Sequence, residues 1–194
     1  VVVCGTSLGG FLAMGLGLMA PTALAGVILN DAGPDPDTAA LADIATYMAA
    51  LVERPPADWA SAQAALRGRL TTLGLRSDRD WEIFTRGTFV EDQGRLRVSW
   101  DPGLGRAMAR QPALPDLWPL FGALRPFPTL LLRGANSPLL RVETVERMRR
   151  LHPALEVVTV PGAGHTPTLL EPESRAPVDD FLQRLDRRDR RHAA

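Results

Sequence analysis

The chain has 194 residues, and its 22 basic and 22 acidic side chains give a formal net charge of zero. This balance gives no electrostatic footprint for nucleic acid or an anionic membrane, and no apolar stretch approaches the length of a membrane span. A single cysteine, Cys4, excludes an internal disulfide framework and a cysteine-based metal cluster. We therefore expect a cytoplasmic globular protein with no nucleic-acid or membrane partner, in which Cys4 is a small, buried apolar residue.

The predicted elements alternate between strands and helices at both ends of the chain. After the apolar run at residues 1–4, the pattern predicts a helix over 11–19 and a short buried strand over 27–29. From residue 34 to about residue 124 it predicts helices and no convincing strand series, with helices over 39–52, 59–70, 78–89 and 116–124. Strands over 129–132 and 155–160 and helices over 142–151 and 173–185 follow, and the charged residues 186–191 predict a solvated tail. Such alternation requires a mostly parallel sheet.

The sequence GTSLGG at residues 5–10 lies directly between the first strand and the first helix. In that context G-x-S-x-G is the pattern of a nucleophile elbow, a sharp turn that projects the serine away from the sheet. Its strained backbone costs about 1–3 kcal/mol, and we expect Gly5 and Gly9 to let strand and helix approach closely because they lack a β-carbon. Ser7 is therefore the candidate nucleophile, and the alternative is a serine that only caps a helix.

At this elbow the chain resembles the α/β-hydrolase superfamily, and the resemblance extends over nearly the whole sequence. GVILNDAGP at 26–34 resembles the next core strand with its exit loop, PTLLLRG at 128–134 the following strand, and PGAGHTP at 161–167 the loop with the catalytic histidine. The resemblance implies the C-terminal part of an α/β-hydrolase fold, a mostly parallel sheet with an inserted helical cap. We expect the core at residues 1–33 and 126–188, the cap at 34–125 and a tail at 189–194, with further strands and an oxyanion loop missing before the elbow.

The same resemblance implies roles at the reaction centre. His165 would be the general base to Ser7 and then the general acid to the leaving group. The backbone N–H of Leu8 would be one oxyanion donor, and the second would come from the missing loop. His152 suits the capping of a helix end, and His192 lies in the charged tail, so both compete poorly with His165.

The acid of the triad is where the sequence departs from the family pattern. Many relatives carry Arg-Gly-x-x-Ser-Asp after the penultimate strand, whereas residues 133–138 read RGANSP, with Pro138 at the position of the aspartate. Two replacements remain open. Asn136 or Ser137 could hold the imidazole weakly, or Asp31, at the exit of the strand after the elbow helix, supplies the carboxylate as in some family members. The alternative for Asp31 is a turn residue bonded to local backbone.

The resemblance implies a serine hydrolase that uses Ser7, His165 and Asp31 on a small ester, lactone or thioester, with no cofactor or metal. A C–C bond hydrolase uses the same serine and histidine and is a close alternative. Pro138 also leaves open a non-catalytic relative that binds a small ligand, or an inactive fragment. All four tryptophans lie in the predicted cap, and we expect most of them to pack in a core rather than line a substrate pocket.

Overall fold

The computed structural model of the protein describes residues 1–110 and 114–192. The strands of this part of the chain are β1 (Val2–Thr6), β2 (Gly26–Asn30), β3 (Phe89–Asp92), β4 (Arg95–Val98), β5 (Thr129–Gly134) and β6 (Glu156–Val160). The α-helices are α1 (Leu8–Met19), α2 (Thr38–Glu53), α3 (Trp59–Arg69), α4 (Asp78–Thr88), α5 (Gly103–Arg110), α6 (Trp118–Gly122), α7 (Val142–Leu151) and α8 (Pro172–His192). A 3-10 turn, Pro21–Ala23, lies between α1 and β2.

Four strands form one parallel sheet in the order β1-β2-β5-β6. Cys4 lies opposite Ile28, Ile28 opposite Leu130, and Leu130 opposite Glu156, so the strands are in step across the whole sheet. Parallel strands place all their carboxyl ends at the same edge, which is where open α/β sheets bind their ligands. Ser7, Asp31, Ser137 and His165 all follow strands at this edge, and the predicted mostly parallel sheet is confirmed.

Helices cover both faces of the sheet, which explains why its central strands are continuous apolar runs. On one face, Met14 of α1 and Met148 of α7 are fully buried in a cluster with Leu29. On the other face, Phe181 of α8 packs with Ile28 in a second cluster. A side chain of this size contributes roughly 1.5–3 kcal/mol when it is removed from water, so these two layers hold the sheet edge in place.

The segment between β2 and β5 has a hydrophobic core of its own, and we call residues 34–125 the cap. The buried members of this core are Leu51, Ala62, Leu66, Leu73, Trp81, Phe89, Leu96 and Val98. Three tryptophans (Trp59, Trp81 and Trp100) pack in or against it, and Trp118 packs against the cluster beneath the sheet. The expectation that most tryptophans are core residues is therefore confirmed.

A β-hairpin in the cap, formed by β3 and β4, contradicts the prediction of helices alone. The turn residues Gln93 and Gly94 have φ angles of 51° and 73°, the two positive values that a type I′ hairpin turn requires. In β4, Leu96 and Val98 are buried whereas Arg97 is exposed. This alternation is a strand signal, but four residues per strand are too few to stand out beside the helical pattern of α4.

Two further expectations are wrong in detail. Cys4 is exposed rather than buried, and among the described residues its strand β1 pairs with β2. The last helix continues to His192 instead of ending at residue 185, and the exposed Arg190 pairs with Asp186 one turn earlier. Across residues 1–110 and 114–192, every helix is too short or too polar for a membrane span.

Candidate active site

Ser7 occupies a strained turn between β1 and α1. Its backbone has φ 49° and ψ −115°, a positive φ that costs a non-glycine residue about 1–3 kcal/mol. Two hydrogen bonds hold the turn, since the Ser7 N–H donates to the Asn30 carbonyl over 3.2 Å and the Gly10 N–H donates to the Ser7 carbonyl over 2.9 Å. The side chain consequently projects from the carboxyl edge of the sheet, as an elbow requires.

Glycine at two positions allows the elbow to close. A β-carbon on Gly5 would lie 2.3 Å from the Gly9 carbonyl oxygen, and one on Gly10 would lie 2.2 Å from the β-carbon of Ala32. No described atom lies within 4 Å of a β-carbon built on Gly9. The prediction is therefore right for Gly5 and wrong for Gly9, because the face of α1 that meets the loop after β2 is the face of Gly10.

His165 lies in the loop after β6 with its ring over the elbow. Its Nε2 is 3.0 Å from Ser7 Oγ and its side chain is 10% exposed. His152 is the C-cap of α7, fully buried, and its Nε2 lies 3.2 Å from the Phe127 carbonyl oxygen. The side chain of His192 lies outside the described residues. Of the two described histidine side chains, the structure brings His165 to Ser7.

Asp31 follows β2 directly and is fully buried, with its carboxylate at the centre of three donors. Oδ2 lies 2.6 Å from His165 Nδ1 and accepts the Ser137 hydroxyl over 2.6 Å, and Oδ1 accepts the Gly134 N–H over 3.0 Å. A carboxylate can only accept, so His165 Nδ1 carries the proton and Nε2 is free to accept from Ser7. The carboxylate bonds across the sheet, so the interpretation of Asp31 as a local turn residue is not supported.

The loop after β5 has no acidic residue, and its contribution to the site is a hydrogen bond from Ser137 to Asp31. Pro138 and Asn136 are exposed. Ser137 is buried, donates to Asp31, and accepts the N–H groups of Leu139 and Leu140 over 3.2 Å each. The alternative in which Asn136 or Ser137 holds the imidazole is therefore wrong, because the hydroxyl of Ser137 bonds to the carboxylate rather than to the ring.

Asn30 is a site residue that the sequence reasoning missed. Its side-chain amide is buried and donates to Thr6 Oγ1 over 3.1 Å and to the Pro167 carbonyl over 2.9 Å. It thus ties together the end of β1, the end of β2 and the loop of His165. Its position at a strand end, directly before Asp31, is a sequence signal for a site residue. The hydrogen-bond partners of such an amide cannot be predicted until the order of the strands is known.

Three side chains form a hydrogen-bonded chain, which we call the relay, at the N-terminus of α1. Ser7, His165 and Asp31 form one hydrogen-bonded chain, and the N–H of Leu8 is the first of α1, among the amides that have no partner within the helix. Such an order suits acyl transfer, since the histidine can take the serine proton while the helix end faces a developing negative charge. A groove of about 1110 Å³ between α3 and α4 has none of these residues in its lining.

Metal chemistry has no evident ligand set in the described part of the chain. Residues 1–110 and 114–192 hold no group of three or more histidine, cysteine, aspartate or glutamate side chains placed to bind an ion. Asp31 and His165 are the acidic and imidazole groups of the relay, and each already has its hydrogen-bond partners within it.

The chain is similar to several known proteins that are named as hydrolases or esterases. An alpha/beta hydrolase from Novosphingobium aromaticivorans, known from its crystal structure, is 35% identical with a TM-score of 0.81, over 94% of this chain and 65% of that one. The 3-hydroxybutyrate-oligomer hydrolase of Cupriavidus necator is 29% identical, over 92% of this chain and 63% of that protein. A thermophilic esterase from Thermogutta terrifontis is 26% identical with a TM-score of 0.62, over 95% of this chain and 62% of that one.

The chain thus spans a little under two thirds of the length of each of these relatives. Residues 1–182 match the sequence model of the alpha/beta hydrolase family. That range includes the elbow, the loop after β2 and the loop of His165. The chain therefore belongs to the alpha/beta hydrolase family.

Proposed function

We propose that this protein is a serine hydrolase that acts on a small ester, lactone or thioester, with Ser7 as nucleophile, His165 as general base and Asp31 as the acid of the triad. The observation that carries the proposal is the unbroken relay, with 3.0 Å between Ser7 Oγ and His165 Nε2 and 2.6 Å between His165 Nδ1 and Asp31 Oδ2. Both separations lie within the range in which a base can take a proton from a nucleophile.

The proposed reaction has two halves. Ser7 Oγ attacks the substrate carbonyl while His165 Nε2 takes its proton, and Asp31 stabilises the resulting imidazolium. The Leu8 N–H donates to the oxyanion of the tetrahedral intermediate. Collapse of that intermediate breaks the bond to the leaving alkoxide or thiolate, which receives the proton from His165. Water then adds to the acyl-serine by the same route, and Ser7 recovers its proton as the acid is released.

The nature of the substrate is supported by the relatives. One of them is named an esterase and another a 3-hydroxybutyrate-oligomer hydrolase, and hydroxy acids form oligomers through ester bonds. A small-molecule substrate also suits a site that needs neither cofactor nor metal for its proton transfers. Pro138 leaves open a non-catalytic relative that binds a small ligand, and the 2.6 Å contact between Asp31 Oδ2 and His165 Nδ1 supports a hydrolase instead.

The test is turnover of p-nitrophenyl acetate and p-nitrophenyl butyrate. The wild-type protein should release p-nitrophenolate with a burst from the acyl-serine, and Ser7→Ala should lose the burst and about 10⁶-fold in kcat. Ser99→Ala is the matched control, because Ser99 is exposed in the cap and its hydroxyl donates to the Gly87 carbonyl. Equal rates for wild type and Ser7→Ala would overturn the proposal.

A further inference from the structure

The loop between α3 and α4, residues 70–77, lies against the loop of His165, residues 161–171, and we call these the cap loop and the histidine loop. The Thr72 carbonyl accepts the N–H of Gly164, the residue directly before His165. Gly164 is buried although Thr72 itself is exposed. The residue that precedes the base is therefore fixed by the cap and not by the sheet alone.

Three alternate residues of the cap loop reach the histidine loop and the helix that follows it. A β-carbon on Gly164 would lie 2.3 Å from Thr72 Oγ1, and one on Gly74 would lie 3.4 Å from Glu171 Oε1. Arg76 pairs with Glu173 in the first turn of α8 over 2.6 Å. The cap loop thus contacts the histidine loop and the first turn of α8 at three points.

The sheet holds the other side of the same loop. A β-carbon on Gly134, at the end of β5, would lie 2.1 Å from the Gly164 carbonyl oxygen. The Asn136 N–H donates to the Ala163 carbonyl over 2.8 Å, and the Asn30 amide donates to the Pro167 carbonyl. Gly164 therefore lies between the sheet edge and the cap loop, and a β-carbon on Gly164 would meet Thr72.

We propose that the cap loop is a positioning element for His165, in which Thr72 and Arg76 keep the ring within reach of Ser7, and the inference rests on the proposed function of that pair. Displacement of the cap loop removes the contact on one side of Gly164. The ring of His165, the next residue, then moves out of hydrogen-bond distance of Ser7 Oγ. A misplacement of about 1 Å at a reaction centre can cost about 10²-fold in rate. The position of the cap loop and the position of the base are thus coupled through the contacts of Thr72 with Gly164 and of Arg76 with Glu173.

A steric pair of variants tests the contact between Thr72 and Gly164. The measurement is the rate at which a fluorophosphonate probe modifies Ser7, followed against probe concentration so that probe binding and the chemical step are separated. Gly164→Ala should lower the maximal rate about tenfold or more and leave the half-saturating probe concentration unchanged. Adding Thr72→Ala should restore part of the rate, since it removes Oγ1 at 2.3 Å from the new β-carbon and leaves the Thr72 β-carbon and carbonyl oxygen at 3.0 Å.

Gly68→Ala is the matched control for this pair, because a β-carbon built there has no described atom within 4 Å apart from its own stretch of helix. It lies in α3, just before the cap loop, and should react at the wild-type rate. Thermal melts of all variants separate loss of reactivity from loss of fold. A double variant no faster than Gly164→Ala, with all variants folded, would overturn the inference.

A charge exchange tests the contact between Arg76 and Glu173 and does not depend on a tight fit. Arg76→Glu should slow the chemical step a few-fold, as suits an exposed pair, and the exchange Arg76→Glu with Glu173→Arg should restore it. The same exchange at the pair of Arg67 and Asp78, which bridges α3 and α4 without touching the histidine loop, should change nothing.

The two proposals fail in distinguishable ways. A wild-type protein whose Ser7 does not react would overturn the proposed function, and this inference with it. A reactive wild type, with every cap-loop variant reacting at the same maximal rate, would overturn the positioning role alone.

Discussion

Replacement of Asp31 by asparagine tests the acid of the relay, and the structure predicts which way the amide turns. The carboxylate accepts from the Gly134 N–H, the Ser137 hydroxyl and His165 Nδ1. A backbone N–H cannot reverse, whereas an imidazole can change tautomer and a hydroxyl can rotate. The new amide oxygen should therefore face Gly134, and the new NH₂ group should face His165 and Ser137.

With the amide in that orientation, His165 can no longer act as a base, whereas the protein still folds. With an NH₂ group opposite Nδ1, the His165 proton moves to Nε2, which then cannot accept from Ser7. Loss of the correct tautomer in a comparable triad costs about 10⁴-fold in kcat. The stability cost should be near that of one hydrogen bond, about 1 kcal/mol, since the Ser137 hydroxyl proton loses its acceptor. The assay is kcat on p-nitrophenyl butyrate, with a urea melt on the same sample.

Pro138→Asp is the companion variant, because Pro138 occupies the usual position of the acid and is exposed. It should leave kcat within a few-fold of wild type while Asp31 is present. An Asp31→Asn protein that keeps more than about a tenth of wild-type kcat would refute the role of Asp31 and its predicted tautomer change.

Three further outcomes follow from the packing and the charges. Gly10→Ala should lower the free energy of unfolding by about 1–3 kcal/mol in a urea melt, because its β-carbon would meet Ala32, whereas Gly9→Ala should not. The Ser61 N–H donates to the Asp58 carboxylate at the start of α3, and this hydrogen bond holds the pKa of that carboxyl below its ordinary value. Its contribution to stability is present above the ordinary value and lost as the pH falls through the lowered pKa, so Asp58→Asn should flatten the acid limb of stability measured between about pH 5 and pH 2. Leu12 is 66% exposed on α1, and Leu12→Ala should change the free energy of unfolding by no more than about 0.5 kcal/mol in a urea melt, a result that a larger loss would contradict.

The sequence predicts those parts of the site that depend on local order. A strand, a G-x-S-x-G turn and a helix must follow one another in the chain, so Ser7 and its elbow are readable without the fold. His165 follows a strand in a glycine-rich loop, and its predicted role as base came from the resemblance to the α/β-hydrolase superfamily. The parallel sheet then follows from the alternation of strands and helices.

The remainder of the site depends on which strands are neighbours, and that is a property of the folded chain. Ser137 lies 106 residues from Asp31 along the chain and donates to it only because β2 and β5 are adjacent. The face of α1 that meets Ala32 selects Gly10 over Gly9 in the same way.

The most direct test of the central claim is to identify the residue that a fluorophosphonate modifies, by digestion and mass spectrometry of the labelled protein. The relay predicts a single adduct on Ser7, present in wild type and in Ser99→Ala and absent from Ser7→Ala. His165→Gln should slow its formation by orders of magnitude, because no base then takes the serine proton. Labelling at another residue that persists in Ser7→Ala, or labelling of Ser7 at an unchanged rate in His165→Gln, would contradict the assignment.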